Sequence, residues 1–244
     1  MSMLDAADFR ARYDQDDCLG LIGRQAEQLV AEVVAPVDLR AEKVKRVLVA
    51  GMGGSALASE LARGLWSDRL PWPVDICKDY VLPAYVDAQT LVICSSYSGT
   101  SEETLAALAT ARAAGAQVVC VTAGGKLLET AQAEGLPYVA PPGGIQGRYG
   151  VLSGLLAWGM IAEALGVGGL VDELRQASRA VAPAAKAWAP EVPLVDNEAK
   201  QLAESLLGKP VIVYAGAGLS AVAQKFKVDL NENAKHMAWW NSLP

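Results

Sequence analysis

Apolar positions follow two rhythms along this chain. Leu19, Ile22, Ala26, Leu29, Val30 and Val33 recur at the spacing of one helix face until Pro36 breaks it, so residues 1–40 read as an N-terminal helical segment that caps a sheet. The rhythm then changes to solid runs. Residues 47–50 are unbroken apolar, as in a strand buried on both faces, and RVLVAGMGGSALASELARGL leads from that strand through a Gly turn into a helix. PVDICKDY (73–80), TLVICSS (90–96) and AQVVCVTAG (116–124) predict three more strands, with TSEETLAALATARAAG as a helix between the last two. Strands alternating with helices predict an α/β fold: a doubly wound parallel sheet with right-handed crossovers and helices on both faces, three layers in all. Ligands of such sheets sit beyond the C-terminal strand ends.

An internal echo links VLVAGMGGSALASELA (47–62) with VIVYAGAGLSAVAQKF (211–226), both running strand, Gly turn, small-residue helix. It predicts a first subdomain over 41–166, closed by a buried helix at about 150–166. Linking helices and a related, incomplete α/β subdomain occupy 167–244, with Pro183, Pro190 and Pro193 as breaks and room for one strand and part of its helix.

Composition narrows the function classes. Of 244 residues, 52% are hydrophobic and 20% charged, enough to bury a sizeable core without staples. A formal charge of -6 repels polyanions and argues against nucleic acid, yet backbone N–H groups can hold a single phosphate without a basic surface. Cys18, Cys77, Cys94 and Cys120 form no CxxC pair and read as reduced thiols. The start carries acids in place of an apolar signal core, and the longest apolar stretch, 150–169, is interrupted by Glu163. The expectation is a cytoplasmic protein with no membrane partner.

Four loops carry candidate chemistry. Gly51-Met52-Gly53-Gly54-Ser55 offers backbone that a ligand can approach closely, with a hydroxyl at a helix start; a tight strand-to-helix turn explains the same residues. Ser95-Ser96-Tyr97-Ser98-Gly99-Thr100-Ser101 precedes a helix, where hydroxyls and free N–H groups suit phosphate oxygens. The alternative is a capping box between Thr100 and Glu103, which explains two residues but not five hydroxyls. PPGGIQGRYG delivers Arg148 into a Gly-rich loop, an always-charged group suited to a phosphate or a developing enediolate. Asp229 to His236 places Glu232 and Lys235 on one helix, where a solvated face is the ordinary reading.

VAGMGGSALASE, SSYSGTSEET, PPGGIQGRYG and LNENAK, in that order, resemble the sugar isomerase (SIS) fold of the bifunctional phosphoglucose/phosphomannose isomerase family over most of residues 40–244. The resemblance implies two SIS subdomains, a homodimer with its active site at the subunit contact, and no metal or nucleotide cofactor. It implies Gly53, Gly54, Ser55, Ser96, Ser98 and Ser101 as the phosphate cradle. Arg148 would stabilise the intermediate, with Gly147 where the family usually has Pro, and Glu232 would be the base that moves a proton between C1 and C2 through a cis-enediol. The family's ring-opening His, in a His-Asn-Glu motif, and its later Lys would fall beyond Pro244, and His236 sits too early to replace that His. The implied activity is interconversion of glucose 6-phosphate or mannose 6-phosphate with fructose 6-phosphate; the alternative is a module that binds sugar phosphate without turnover. A dinucleotide site, resting on Gly51-x-Gly53-x-x-Ala56 and Asp79, leaves the Ser-rich loop unused.

Overall fold

The computed structural model describes residues 2–244. In chain order its regular elements are α1 (Phe9–Tyr13), α2 (Cys18–Gly23), β1 (Arg46–Gly51), α3 (Gly53–Leu65), β2 (Val74–Cys77), β3 (Thr90–Ser95), α4 (Glu102–Ala113), β4 (Gln117–Val121), α5 (Gly125–Ala133) and β5 (Tyr138–Val139). They continue with α6 (Val151–Ala164), α7 (Leu170–Ala187), α8 (Glu198–Leu206), β6 (Val211–Gly216), α9 (Ser220–Glu232) and β7 (Ala238–Leu243). The chain divides into two compact units, one formed by residues 28–175 and the other by 1–27 with 176–244.

The larger unit is the doubly wound sheet. Five parallel strands stand in the order β2-β1-β3-β4-β5. β1 and β3 are buried almost throughout because helices cover both faces, which is why their sequences show no polar alternation. On one face Leu48, Val92, Cys94, Val118 and Cys120 pack with Ala107, Leu108 and Ala111 of α4 and with Leu127 and Ala131 of α5. On the other lie α3 and α6, packed on each other so closely that a Cβ on Gly154 would stand 2.7 Å from that of Ala58. There the Trp158 indole N–H donates to the Ser59 hydroxyl at 2.8 Å. Glu163, the charge that interrupted the apolar run, accepts from the Val171 N–H at 3.0 Å at the start of α7.

In the smaller unit β6 and β7 pair in parallel and α9 covers one face. The expectation of one strand here is corrected to two: AWWNSL is too mixed in polarity to announce β7, and its pairing with β6 comes from the fold. The N-terminal helical spacing is realised only in pieces. Gly20 and Gly23 weaken the helix, so α2 spans only Cys18–Gly23 and a 3-10 turn covers Gln25–Val30. Beyond it Val34 bridges Ala140 in an extended conformation. Pro183, expected as a break, lies inside α7. No helix among the described residues is long and apolar enough to cross a membrane.

Candidate functional site

Neighbouring strands β1 and β3 lead away in opposite directions, β1 through α3 to β2 and β3 through α4 to β4. The crevice beyond their C-terminal ends is therefore the switch point at which open α/β sheets bind ligands. Gly51 and Ser95 pair at its floor, and a Cβ on Gly51 would lie 2.7 Å from the Ser95 carbonyl oxygen.

Two helices begin at this crevice, α3 at Gly53 and α4 at Glu102, and no side chain caps either. Their first N–H groups thus face the crevice with the positive ends of both dipoles, each favouring an anion by a fraction of about 1 kcal/mol when exposed. The capping-box alternative is not realised: the N-cap residue is Ser101, not Thr100, and its hydroxyl makes no cap bond. Instead the Ser96 and Ser101 hydroxyls bond each other at 3.0 Å, and those of Ser98 and Thr100 at 2.9 Å. Ser55 accepts from the Tyr97 N–H at 3.1 Å, tying the first Gly loop to the Ser loop. Gly53, at φ 52, adopts the left-handed turn that admits α3 immediately after β1.

Arg148 arrives from a third loop, on the 3-10 turn Gly147–Tyr149 ahead of α6. This turn lies against the first loop, since a Cβ on Gly54 would meet the Gly147 oxygen at 2.8 Å and the Arg148 Cα at 3.3 Å. Arg46, Arg63, Arg69 and Arg112 of the same unit all hold carboxylates. Arg148 holds none among the described residues, its Nε is buried without a hydrogen-bond partner, and its guanidinium carbon sits 5.5 Å from the centre of the Tyr149 ring. A cation with no carboxylate partner, beside the start of α3, suits an anionic ligand. The space enclosed behind the loops is only about 10 Å³, room for about one water, so a ligand would sit on the rim.

Seven expected site residues, Gly53, Gly54, Ser55, Ser96, Ser98, Ser101 and Arg148, thus converge in the larger unit. Glu232 belongs to the smaller one, as the last residue of α9, where its carbonyl accepts from Lys235 at 2.6 Å. His236 makes local contacts there, its ring Nε2 bonding the Lys209 carbonyl at 2.6 Å and its N–H donating to Leu230. Asp79, the acidic residue of the dinucleotide alternative, accepts from the adjacent Tyr80 N–H in a local turn. Sequence reading missed Tyr97, an aromatic set among hydroxyls. The signal available for it was the pair Gly147 and Gly150, which are bare where its ring packs. Among the described residues no group of three or more His, Cys, Asp or Glu side chains is placed to hold a metal ion.

Comparison with solved structures places this architecture in a class. The C-terminal domain of glucosamine-fructose-6-phosphate aminotransferase from Francisella tularensis superposes with a TM-score of 0.70 at 17% identity, covering 92% of this chain and 69% of that one. Residues 195–244 match the model of the bacterial phospho-glucose isomerase C-terminal SIS domain. The fold is that of the SIS proteins. At the level of sequence, the chain is 38% identical over 207 residues to a bifunctional phosphoglucose/phosphomannose isomerase of Caldicellulosiruptor bescii, covering 84% of this chain and 61% of that protein. The chain belongs to the bifunctional phosphoglucose/phosphomannose isomerase family, and it spans about three fifths of the length of the curated relatives it matches. A D-glucosamine-6-phosphate 4-epimerase of Sulfolobus acidocaldarius is also related, 29% identical over 207 residues, with 82% of this chain and 61% of that protein covered.

Proposed function

We propose that this protein is an aldose-ketose isomerase that interconverts glucose 6-phosphate or mannose 6-phosphate with fructose 6-phosphate. The observation that carries the reading is the convergence, at one switch point, of two uncapped helix starts, a hydroxyl-lined loop and an arginine without a carboxylate. The phosphate sits on the N–H groups of Gly53 and Gly54 and the hydroxyls of Ser55, Ser96, Ser98 and Ser101. Arg148 faces the C1–C2 end, where its charge stabilises the oxyanion as it develops. Glu232 takes the proton from C2 of the open-chain aldose, the C–H pair becomes the C1–C2 double bond, and the carbonyl oxygen gains a proton. Return of a proton to C1 of the cis-enediol, with loss of the proton on the C2 hydroxyl as its oxygen becomes the new carbonyl, completes the ketose. On this reading the enzyme works in the cytoplasm as a homodimer and needs no metal or nucleotide.

Relatives carrying both isomerase and epimerase names support a sugar 6-phosphate as the shared chemistry. The test is turnover of fructose 6-phosphate in deuterated water. Deuterium at C2 of the aldose product is expected, with kcat/KM falling about a hundred- to a thousandfold in Arg148→Ala. One observation favours a second reading, binding without turnover: the cradle lies wholly within residues 28–175, whereas Glu232 belongs to the other unit. Tight binding with no exchange at C1 or C2 would establish that reading and remove the first.

A further inference from the structure

Arg148 rides on a short turn between Gly-rich segments, which by itself has little to hold it in place. Two side chains outside the proposed cradle grip that turn from opposite ends. The Tyr97 phenol donates to the Pro142 carbonyl at 2.6 Å, where the loop begins. Its ring then lies along the turn: a Cβ on Gly147 would meet the Tyr97 Cβ at 3.4 Å, and one on Gly150 would meet the ring at 2.8 Å. At the far end the Gln28 side-chain amide donates to the Tyr149 carbonyl at 2.7 Å, while its oxygen accepts from the Ser153 N–H at 3.0 Å and from the Ser153 hydroxyl at 3.2 Å. Gln28 thereby ties the turn to the first turn of α6, which has no cap of its own.

Tyr97 is also a member of the Ser loop. Its N–H donates to Ser55 and its carbonyl accepts from the Ala123 N–H at 3.0 Å, so its backbone is held on both sides. A residue held in this way can transmit the position of one loop to another. Burial raises the phenol above its ordinary value, so it remains a donor throughout the neutral range.

We infer that Tyr97 and Gln28 are positioning residues that hold the Arg148 turn in register with the phosphate loops. Their role in turnover rests on the isomerase reading, whereas the grip itself does not. Removing either contact therefore loosens the Arg148 turn ahead of the rest of the unit. It also lowers kcat more than it raises KM, because phosphate would still be held by the hydroxyl loops.

The experiment compares wild type, Tyr97→Phe and Gln28→Ala by native-state trypsin cleavage after Arg148, measured against cleavage after Arg63 and Arg112 in the same unit. The Phe variant keeps the ring packing and removes only the hydroxyl. Cleavage after Arg148 is expected to quicken about tenfold in each variant, the scale of one ordinary hydrogen bond, with the reference sites unchanged. Equal acceleration at all sites, or at none, overturns the inference whatever the activity. Faster cleavage after Arg148 with kcat unchanged would overturn its service to catalysis. A wild type that turns over no hexose phosphate would instead defeat the isomerase reading, leaving the grip to be judged on cleavage alone.

Discussion

Two segments of this chain share one design and differ in what surrounds them. Both run strand, Gly turn, helix: β1 into α3, and β6 into α9. β1 lies between β2 and β3, is buried from Val47 to Gly51, and ends at a crevice where the Ser loop and the Arg148 turn arrive. β6 has β7 as its partner and a helix on one face, and it exposes Ile212 and Tyr214 on the other. Gly53 turns at positive φ and Ser55 accepts from Tyr97; Gly216 is extended at φ -63 and leads into the 3-10 turn Ala217–Leu219, which carries no side-chain cap. A strand-Gly-helix motif therefore supplies only half an anion site. The other half is the neighbouring loop that closes on it, and that depends on strand order.

The contrast is exposed most strongly by substituting a glycine of the Ser loop that closes on β1 and the glycine that ends β6. A Cβ on Gly99, at φ 70, would lie 1.8 Å from the Gly124 oxygen, so Gly99→Ala should cost about 2–4 kcal/mol in urea unfolding. Gly216→Ala, with nothing within 4 Å and an ordinary φ, should change stability by less than about 0.5 kcal/mol. Equal costs would show that the two turns are under the same constraint.

Thiol reactivity probes the same difference. Cys94 and Cys120 face each other across β3 and β4 with no exposed surface. Burial raises the Cys94 thiol well above its ordinary value and pushes Cys120 up to about 12. Native-state labelling at pH 8 should reach the half-buried Cys18 at least about a hundredfold faster than either; rapid labelling of Cys94 would mean that the central strands open readily.

Smaller effects come from single contacts. Ser55→Ala removes the acceptor of the Tyr97 N–H and should cost about 1–2 kcal/mol, read in the same unfolding experiment. Asp5, in the smaller unit, is held below its ordinary value of 3.8, first by its hydrogen bond from Lys200 and then by the Leu194 N–H. A depressed carboxylate contributes stability that is full above its unfolded pKa and is lost as pH falls through the folded one. Asp5→Asn should therefore flatten the acid limb of stability below about pH 4; an unchanged limb would show that the pair contributes nothing.

The same contrast explains which features were legible in the sequence. Buried parallel strands announce themselves as solid apolar runs, so β1, β3 and β4 were placed to within a few residues, and the loops at their ends with them. β7 was not, because most of it faces solvent and its pairing with β6 is a property of the fold. The N-terminal helix was over-read because apolar spacing does not register the cost of Gly20 and Gly23. The Ser loop was recognised by its hydroxyls, yet Tyr97 went unnoticed, because its role is defined by contacts with Gly147 and Gly150, about fifty residues away in the chain. The four motifs were sufficient to suggest the family, and the crevice shows why three of them belong together: they are the three loops that meet beyond β1 and β3.

Binding of an anion at that crevice, through the starts of α3 and α4, is the feature on which the isomerase reading depends. An amide-resolved NMR titration with inorganic phosphate observes it residue by residue. Saturable shifts are expected, concentrated at Gly53, Gly54 and Ser55 and at Ser98 to Glu103, and weakened in Arg148→Ala. Saturable shifts centred elsewhere, or no response of these amides at millimolar phosphate, would show that the crevice is not the anion site.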